Sequence, residues 1–222
     1  MPQELDESEL GTLEFWEADY QRQIANYGAT SDHGQVWFGA QSVSAMVAWV
    51  DEHAPKHSKI VDIGCGNGHL VFALHSLGLG SKGIDYAAGA IELATQIARK
   101  EHPEMPTGTF EMVDILGLDY LNLLNSSPNG LFSLALDKGT FDAISLAPKD
   151  TDINPADLYV ERVAQMLSTD GILLITSCNW TETELLARFG KRFHFLDRVK
   201  YPVFRFGGST GQKVTTLALK KI

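Results

Sequence analysis

Three glycines at alternate positions, Gly64, Gly66 and Gly68 in VDIGCGNGHL, stand between an apolar run and a segment with Leu70, Leu74 and Leu77 at helical spacing. That pattern places them at a strand-to-helix turn. Without side chains, glycines let the backbone approach a ligand closely, and the amides opening the next helix point toward it. Asp62 precedes the loop, Asp85 closes the following run SKGIDY, and Asp114 closes TFEMVDI. Strand ends of an open parallel sheet face one crevice, so the three carboxylates are expected there together. Asp85 is placed to accept both ribose hydroxyls of an adenosine, and Asp114 to accept an adenine amino group. Each could instead cap the helix that follows it.

The spacing narrows the ligand. A dinucleotide pattern G-x-G-x-x-G begun at Gly64 needs glycine at position 69, which is His69, and this disfavours a dehydrogenase. No G-x-x-x-x-G-K-[ST] loop is present to cradle a triphosphate. Asp62 and Asp85 would repel a pyrophosphate and welcome a cation. S-adenosylmethionine, with its ammonium, sulfonium and ribose, satisfies that charge pattern. Cys65 is expected to contribute its backbone and small volume to the loop, and His69 reads as a helix-surface residue rather than a base.

The elements that must hold these residues are legible from periodicity. Leu10, Leu13, Trp16, Tyr20, Ile24 and Tyr27 form one apolar helical stripe over 8–27, and a second helical segment runs from Val43 to His53. Between them lies the turn-rich GATSDHGQVWFGAQS, which presents Trp37 and Phe38 as a lid or a core plug. From Lys59 onward, KIVDIG, SKGIDY, TFEMVDI, LFSLALD and GILLITS alternate with helical segments starting near Asn67, Ala87, Pro155 and Thr181. That alternation predicts an α/β fold with a parallel sheet built from βαβ units. Asn154-Pro155 suits a helix start, and Gly171 is expected to close the turn into the next strand. FHFLDRVKYPVFRF and KVTTLALKKI follow with no helix between them and read as an antiparallel hairpin. The link 118–130 ends in turn formers.

The composition sets wider limits. The 222 residues, 44% of them hydrophobic and 21% charged, suit one domain with a sizeable core. A net charge of −10 opposes direct nucleic-acid binding and fits a basic macromolecule or a neutral small molecule. The acidic start MPQELDESEL and the lack of an 18-residue apolar run suit an intracellular chain with no membrane partner. Cys65 and Cys178, with no CxxC spacing, read as two reduced thiols, Cys178 as a buried small hydrophobe.

Residues 59–178 resemble class I, seven-β-strand S-adenosylmethionine-dependent methyltransferases, with VDIGCGNG, GIDY and MVDI as their first three motifs. Over nearly the whole chain the sequence is similar to eukaryotic lysine methyltransferases of translation elongation factor 1-alpha. That similarity rests on GQVWFG, LDKGTFDAISL, YVERVAQMLSTDGILLITSCNWT and the C-terminal block. The resemblance implies a Rossmann-like, seven-stranded, mostly parallel sheet with an N-terminal helical extension. It implies one domain over 1–222, with helices and an aromatic lid loop in 1–57 and the core in 58–222. It also implies a monomeric, cytoplasmic or nuclear enzyme acting on a protein lysine. The cofactor set it implies is Trp37, Asp62, Gly64, Cys65, Gly66, Gly68, Asp85, Tyr86, Asp114, Ile115 and Asp137. The catalytic candidates are Asp137, Trp180 and Trp37. A small-molecule methyltransferase and a silent cofactor-binding module are the alternatives.

Methyl transfer from a sulfonium is an in-line displacement and requires neither metal nor covalent intermediate. A lysine acceptor must be neutral, which from an unperturbed pKa of ~10.4 costs roughly 4 kcal/mol near pH 7.4. Asp137, in the family's DKGT motif at the same sheet edge, is expected to capture and orient that amine. Its alternative is to cap the turn through Gly139 and Thr140. Trp180, with Asn179, is expected to line the substrate channel, and Lys138 is given no chemical role.

Overall fold

The computed structural model describes residues 4–126, 131–149, 153–201, 204–206, 209–211 and 214–222. Glu9–Gly11 form one 3-10 turn, and α1 spans Leu13–Thr30. The break between them is a cap: the Thr12 hydroxyl accepts from the Phe15 amide at 3.3 Å. The apolar stripe therefore starts later than its spacing suggested, and it buries Tyr20 and Tyr27 against α4. α2 (Gly39–His53) buries Val43, Met46, Trp49 and Val50.

The alternating region folds as β1 (Ile60–Ile63), α3 (His69–His75), β2 (Ser81–Asp85), α4 (Ala88–Glu101) and β3 (Phe110–Met112). α5 (Tyr120–Ser126), β4 (Phe132–Lys138), α6 (Thr140–Ser145), α7 (Pro155–Met166), β5 (Leu167–Ser177) and α8 (Glu182–Phe189) follow. β6 (Phe193–Arg198), β7 (Phe204–Phe206), β8 (Ser209–Gly211) and β9 (Thr215–Lys221) close the order. The main sheet runs β3-β2-β1-β4-β5-β9-β6, and β7 and β8 form a separate two-stranded ribbon. β9 is antiparallel to both neighbours and lies between β5 and β6, so the predicted antiparallel ending is an insertion into the sheet. Parts of the links 118–130 and 206–212 lie outside the described residues.

Helix starts follow the local chemistry. Asn154 Oδ1 accepts from the Ala156 amide at 2.9 Å with Pro155 in the first turn, and Thr181 with Glu184 completes a reciprocal capping box before α8. Gly171 does not close a turn. β5 begins at Leu167, directly after α7, and the irregularity falls inside the strand, where Asp170 takes φ +62°. Two apolar layers enclose the sheet. Val61, Ile63, Phe141, Tyr159 and Phe189 pack on one face, and Ile60, Met46, Trp49, Leu134 and Leu136 on the other. Among the described residues no helix is long and apolar enough to cross a membrane.

Candidate active site

The glycine loop is fixed by the strand beside it. The amides of Gly64 and Cys65 both donate to Ile84 O, at 2.8 and 2.9 Å, which turns the chain away from the end of β1. Gly64 and Gly66 take φ of +68° and +54°, and the space near them is full. A Cβ on Gly64 would sit 2.0 Å from Thr140 Oγ1, and one on Gly66 2.7 Å from the Tyr20 hydroxyl. Asp85 then joins the loop to the next helix, accepting from the Gly66 amide through Oδ2 and the Ala87 amide through Oδ1, both at 3.0 Å. The N-terminus of α4 is capped from outside, by Glu17 of α1 on the Ala88 and Gly89 amides. Asp114 follows β3 by two residues and holds its own turn through the Leu116 amide at 2.9 Å.

A cleft opens above these strand ends, lined by Asp85, Asp114, Ile115 and Tyr86 on one side and by Trp16, Tyr20 and Trp37 on the other. The aromatic loop is bolted in place as one wall. Asn67 Nδ2 donates to His33 O (2.9 Å) and Gln35 O (3.1 Å), and Lys138 Nζ donates to Trp37 O (3.3 Å). The Trp37 ring lies against Trp16, with centroids 5.0 Å apart. Phe38 does not reach the cleft wall. It takes φ +61° as the residue before α2 and presses on Gly139, where an added Cβ would lie 3.0 Å from its ring. α1 is thus part of the site, which its apolar stripe did not reveal; Glu17 and Tyr20 carried no motif.

The electrostatics are set by burial. Asp62 and Asp85 are almost wholly enclosed, and desolvation pushes their carboxyls from 3.8 up to about 7 and about 6. The backbone amides of Ala87, Gly66 and Tyr86 pull Asp85 partly back. Among the described residues none hydrogen-bonds the Asp62 carboxylate, and Lys138 is the charge that most opposes its neutralisation. The Lys138 ammonium is itself held below its usual pKa by burial, against the pull of Asp62 and Asp137.

Five residues stand elsewhere than expected. Asp137 is fully buried and outside the cleft lining. Its oxygens accept from the Thr140 amide (2.9 Å), the Phe141 amide (3.0 Å) and the Tyr159 hydroxyl, so it caps α6 instead of facing an acceptor amine. Trp180, 2% exposed, packs on Phe141 with centroids 5.8 Å apart and under Arg188, away from the cleft. Cys178 is exposed rather than buried, because its amide is drawn to Asp142 Oδ2 at 2.8 Å in the turn after β5. Asp62 and Gly68 lie behind the cleft wall: Asp62 at the buried end of β1, Gly68 with a Cβ position 2.8 Å from the Phe110 ring. Gly64, Cys65, Gly66, Asp85, Tyr86, Asp114, Ile115 and Trp37 line the cleft together.

Comparison with known proteins bears on this geometry. Residues 54–218 match the family model described as a methyltransferase domain. The chain is 38% identical to human EEF1A lysine methyltransferase 2, over 97% of this chain and 88% of the relative. It is also 38% identical to the protein-lysine N-methyltransferase efm4 of Schizosaccharomyces pombe, over 97% of this chain and 95% of the relative. The fold matches magnesium protoporphyrin IX methyltransferase from Synechocystis, solved with bound SAM, with TM-score 0.61 and 18% identity over 92% of this chain and 97% of that one. It also matches the N-methyltransferase NodS of Bradyrhizobium japonicum, in complex with S-adenosyl-L-homocysteine, with TM-score 0.62 and 15% identity over 93% and 98%. The described sheet has the seven strands, the parallel body and the antiparallel ending expected of such a fold. The chain belongs to the methyltransferase-domain family, in the group that includes EEF1A lysine methyltransferase 2 and efm4.

Proposed function

We propose that the protein is an S-adenosylmethionine-dependent protein-lysine N-methyltransferase that modifies a lysine of translation elongation factor 1-alpha. The observation that carries the cofactor is Asp85, a buried carboxylate at the end of β2 that faces the cleft while fastened to the glycine loop and the start of α4. It is held rigidly where a ribose diol can donate to it, and Asp114 stands one strand further out for the adenine. When bound, the cofactor supplies an electrophilic methyl on a sulfonium. The acceptor follows from the relatives, whose names specify EEF1A lysine or protein lysine.

The chain's own residues do the positioning. Trp37 and Trp16 cover the cleft and exclude water from it, while Cys65 and Gly66 bring backbone close to the ligand. Small and apolar groups, Gly11, Ala143, Ile144 and Ala147, line another part of the cleft. That lining suits the aliphatic stem of a lysine, and desolvation there eases loss of the amine proton. Asp137 serves this arrangement from inside, by capping α6, which carries Ala143 and Ile144. A single-domain monomer acting in the cytoplasm agrees with such a substrate.

The test is transfer of labelled methyl from S-adenosylmethionine to purified elongation factor 1-alpha, with the modified residue read by mass spectrometry. Methylated lysine on that protein is the expected result. Label confined to small metabolites of a cell extract would instead establish the small-molecule reading.

A further inference from the structure

The strand order β3-β2-β1-β4 arrays the cleft's polar groups in a line: Asp114, Asp85, the glycine loop, then Lys138. On the cofactor reading proposed above, adenine and ribose occupy the β3 and β2 end. The amino-acid end of the cofactor, a zwitterion, then arrives over β1 and β4. In register, Asp62 of β1 is opposite Leu136 of β4, so Asp62 and Lys138 leave the same face of the sheet. The Lys138 ammonium thus stands in the cleft lining at the end where the zwitterion arrives, with the Asp62 carboxylate behind it on the same face of the sheet.

Lys138 is the basic side chain in the cleft lining among the described residues. Its ammonium is desolvated, no carboxylate lies within ion-pairing distance of it among the described residues, and its hydrogen bond goes to Trp37 O. Three N–H donors with one backbone carbonyl leave two unspent, and a buried ammonium without an anionic partner is costly. We infer that Lys138 holds the α-carboxylate of the cofactor's amino-acid end. Because the same ammonium grips Trp37 O, the bound carboxylate and the aromatic wall share one cation.

Calorimetry with three ligands tests this: S-adenosylhomocysteine, its decarboxylated analogue, which keeps the ammonium, and 5′-methylthioadenosine, which lacks both charges. Wild-type protein should bind S-adenosylhomocysteine roughly ten- to a hundredfold more tightly than the decarboxylated analogue, the span of one charge-assisted hydrogen bond. Lys138→Met should erase that preference and leave 5′-methylthioadenosine unchanged, and Lys138→Arg should restore much of it. Equal affinity of wild type for the carboxylated and decarboxylated ligands would overturn the assignment without any variant. Parallel loss of all three ligands in Lys138→Met would overturn it too, reducing Lys138 to a tether of the Trp37 loop. Wild type that binds none of the three overturns the cofactor reading itself.

Discussion

Asp137 is the residue on which sequence and structure part most sharply, and its replacement tests the geometry. Asp137→Ala removes the acceptor of two backbone amides at the start of α6 and of the Tyr159 hydroxyl. Loss of the cap costs ~1 kcal/mol, and leaving a buried hydroxyl unpaired ~2 kcal/mol, for a total of about 3 kcal/mol. Burial raises the carboxyl from 3.8 to about 7, so the wild-type contribution is fullest below about pH 4 and is lost progressively as pH rises to about 7. The destabilisation should therefore be larger at pH 5.5 than at pH 8.5. Urea unfolding followed by tryptophan fluorescence measures it, with calorimetry of S-adenosylhomocysteine at a temperature where the variant is folded. Cofactor affinity should change little, and Tyr159→Phe should give a smaller loss that is not additive with the first. Unfolding within about 1 kcal/mol of wild type, together with a collapse of methyl transfer at saturating cofactor, would refute the cap and return Asp137 to the chemistry.

Other outcomes follow from the same contacts. Asp85→Ala removes the acceptor that binds both Gly66 and Ala87 and should weaken S-adenosylhomocysteine about a hundredfold by calorimetry, since a charged acceptor is lost; unchanged affinity would remove Asp85 from the site. Trp180→Ala, opening a cavity beside Phe141, should cost about 3–5 kcal/mol in a urea melt yet leave cofactor affinity intact in the folded protein. Trp37→Ala should do the reverse, weakening the ligand with little loss of stability. Burial raises the Asp62 and Asp85 carboxyls to about 7 and about 6, so the ligand-free fold binds more protons than the unfolded chain. Its melting temperature should fall as pH climbs from about 4 to about 7 and level off above that, and Asp62→Asn should flatten the upper part of that decline.

The cofactor side of the site was legible because its signals are local. Gly64 and Gly66 sit at positive φ that favours glycine, and Asp85 and Asp114 end or follow strands whose apolar runs are short and clear. The misplaced residues depend on partners distant in sequence. Asp137 is claimed by Tyr159, 22 residues on, and the turn that exposes Cys178 by Asp142, 36 residues back. α6 has six residues, too few for a periodic signal, yet it takes up the Asp137 carboxylate and packs its Phe141 against Trp180. α1 announced a buried stripe, but nothing in its pattern told that Glu17 would cap another helix.

The position of β9 shapes how the chain can assemble. β6 reaches the sheet only through β9, whose other edge pairs with β5. Until residues 215–220 arrive, β5 presents an unpaired edge over Ile172–Ser177, which carries two leucines and two isoleucines. Closing that edge waits on a non-local pairing, which slows folding and leaves an intermediate prone to intermolecular strand pairing. Damage near the C-terminal strand should thus appear as aggregation during expression, well away from the cleft that does the chemistry.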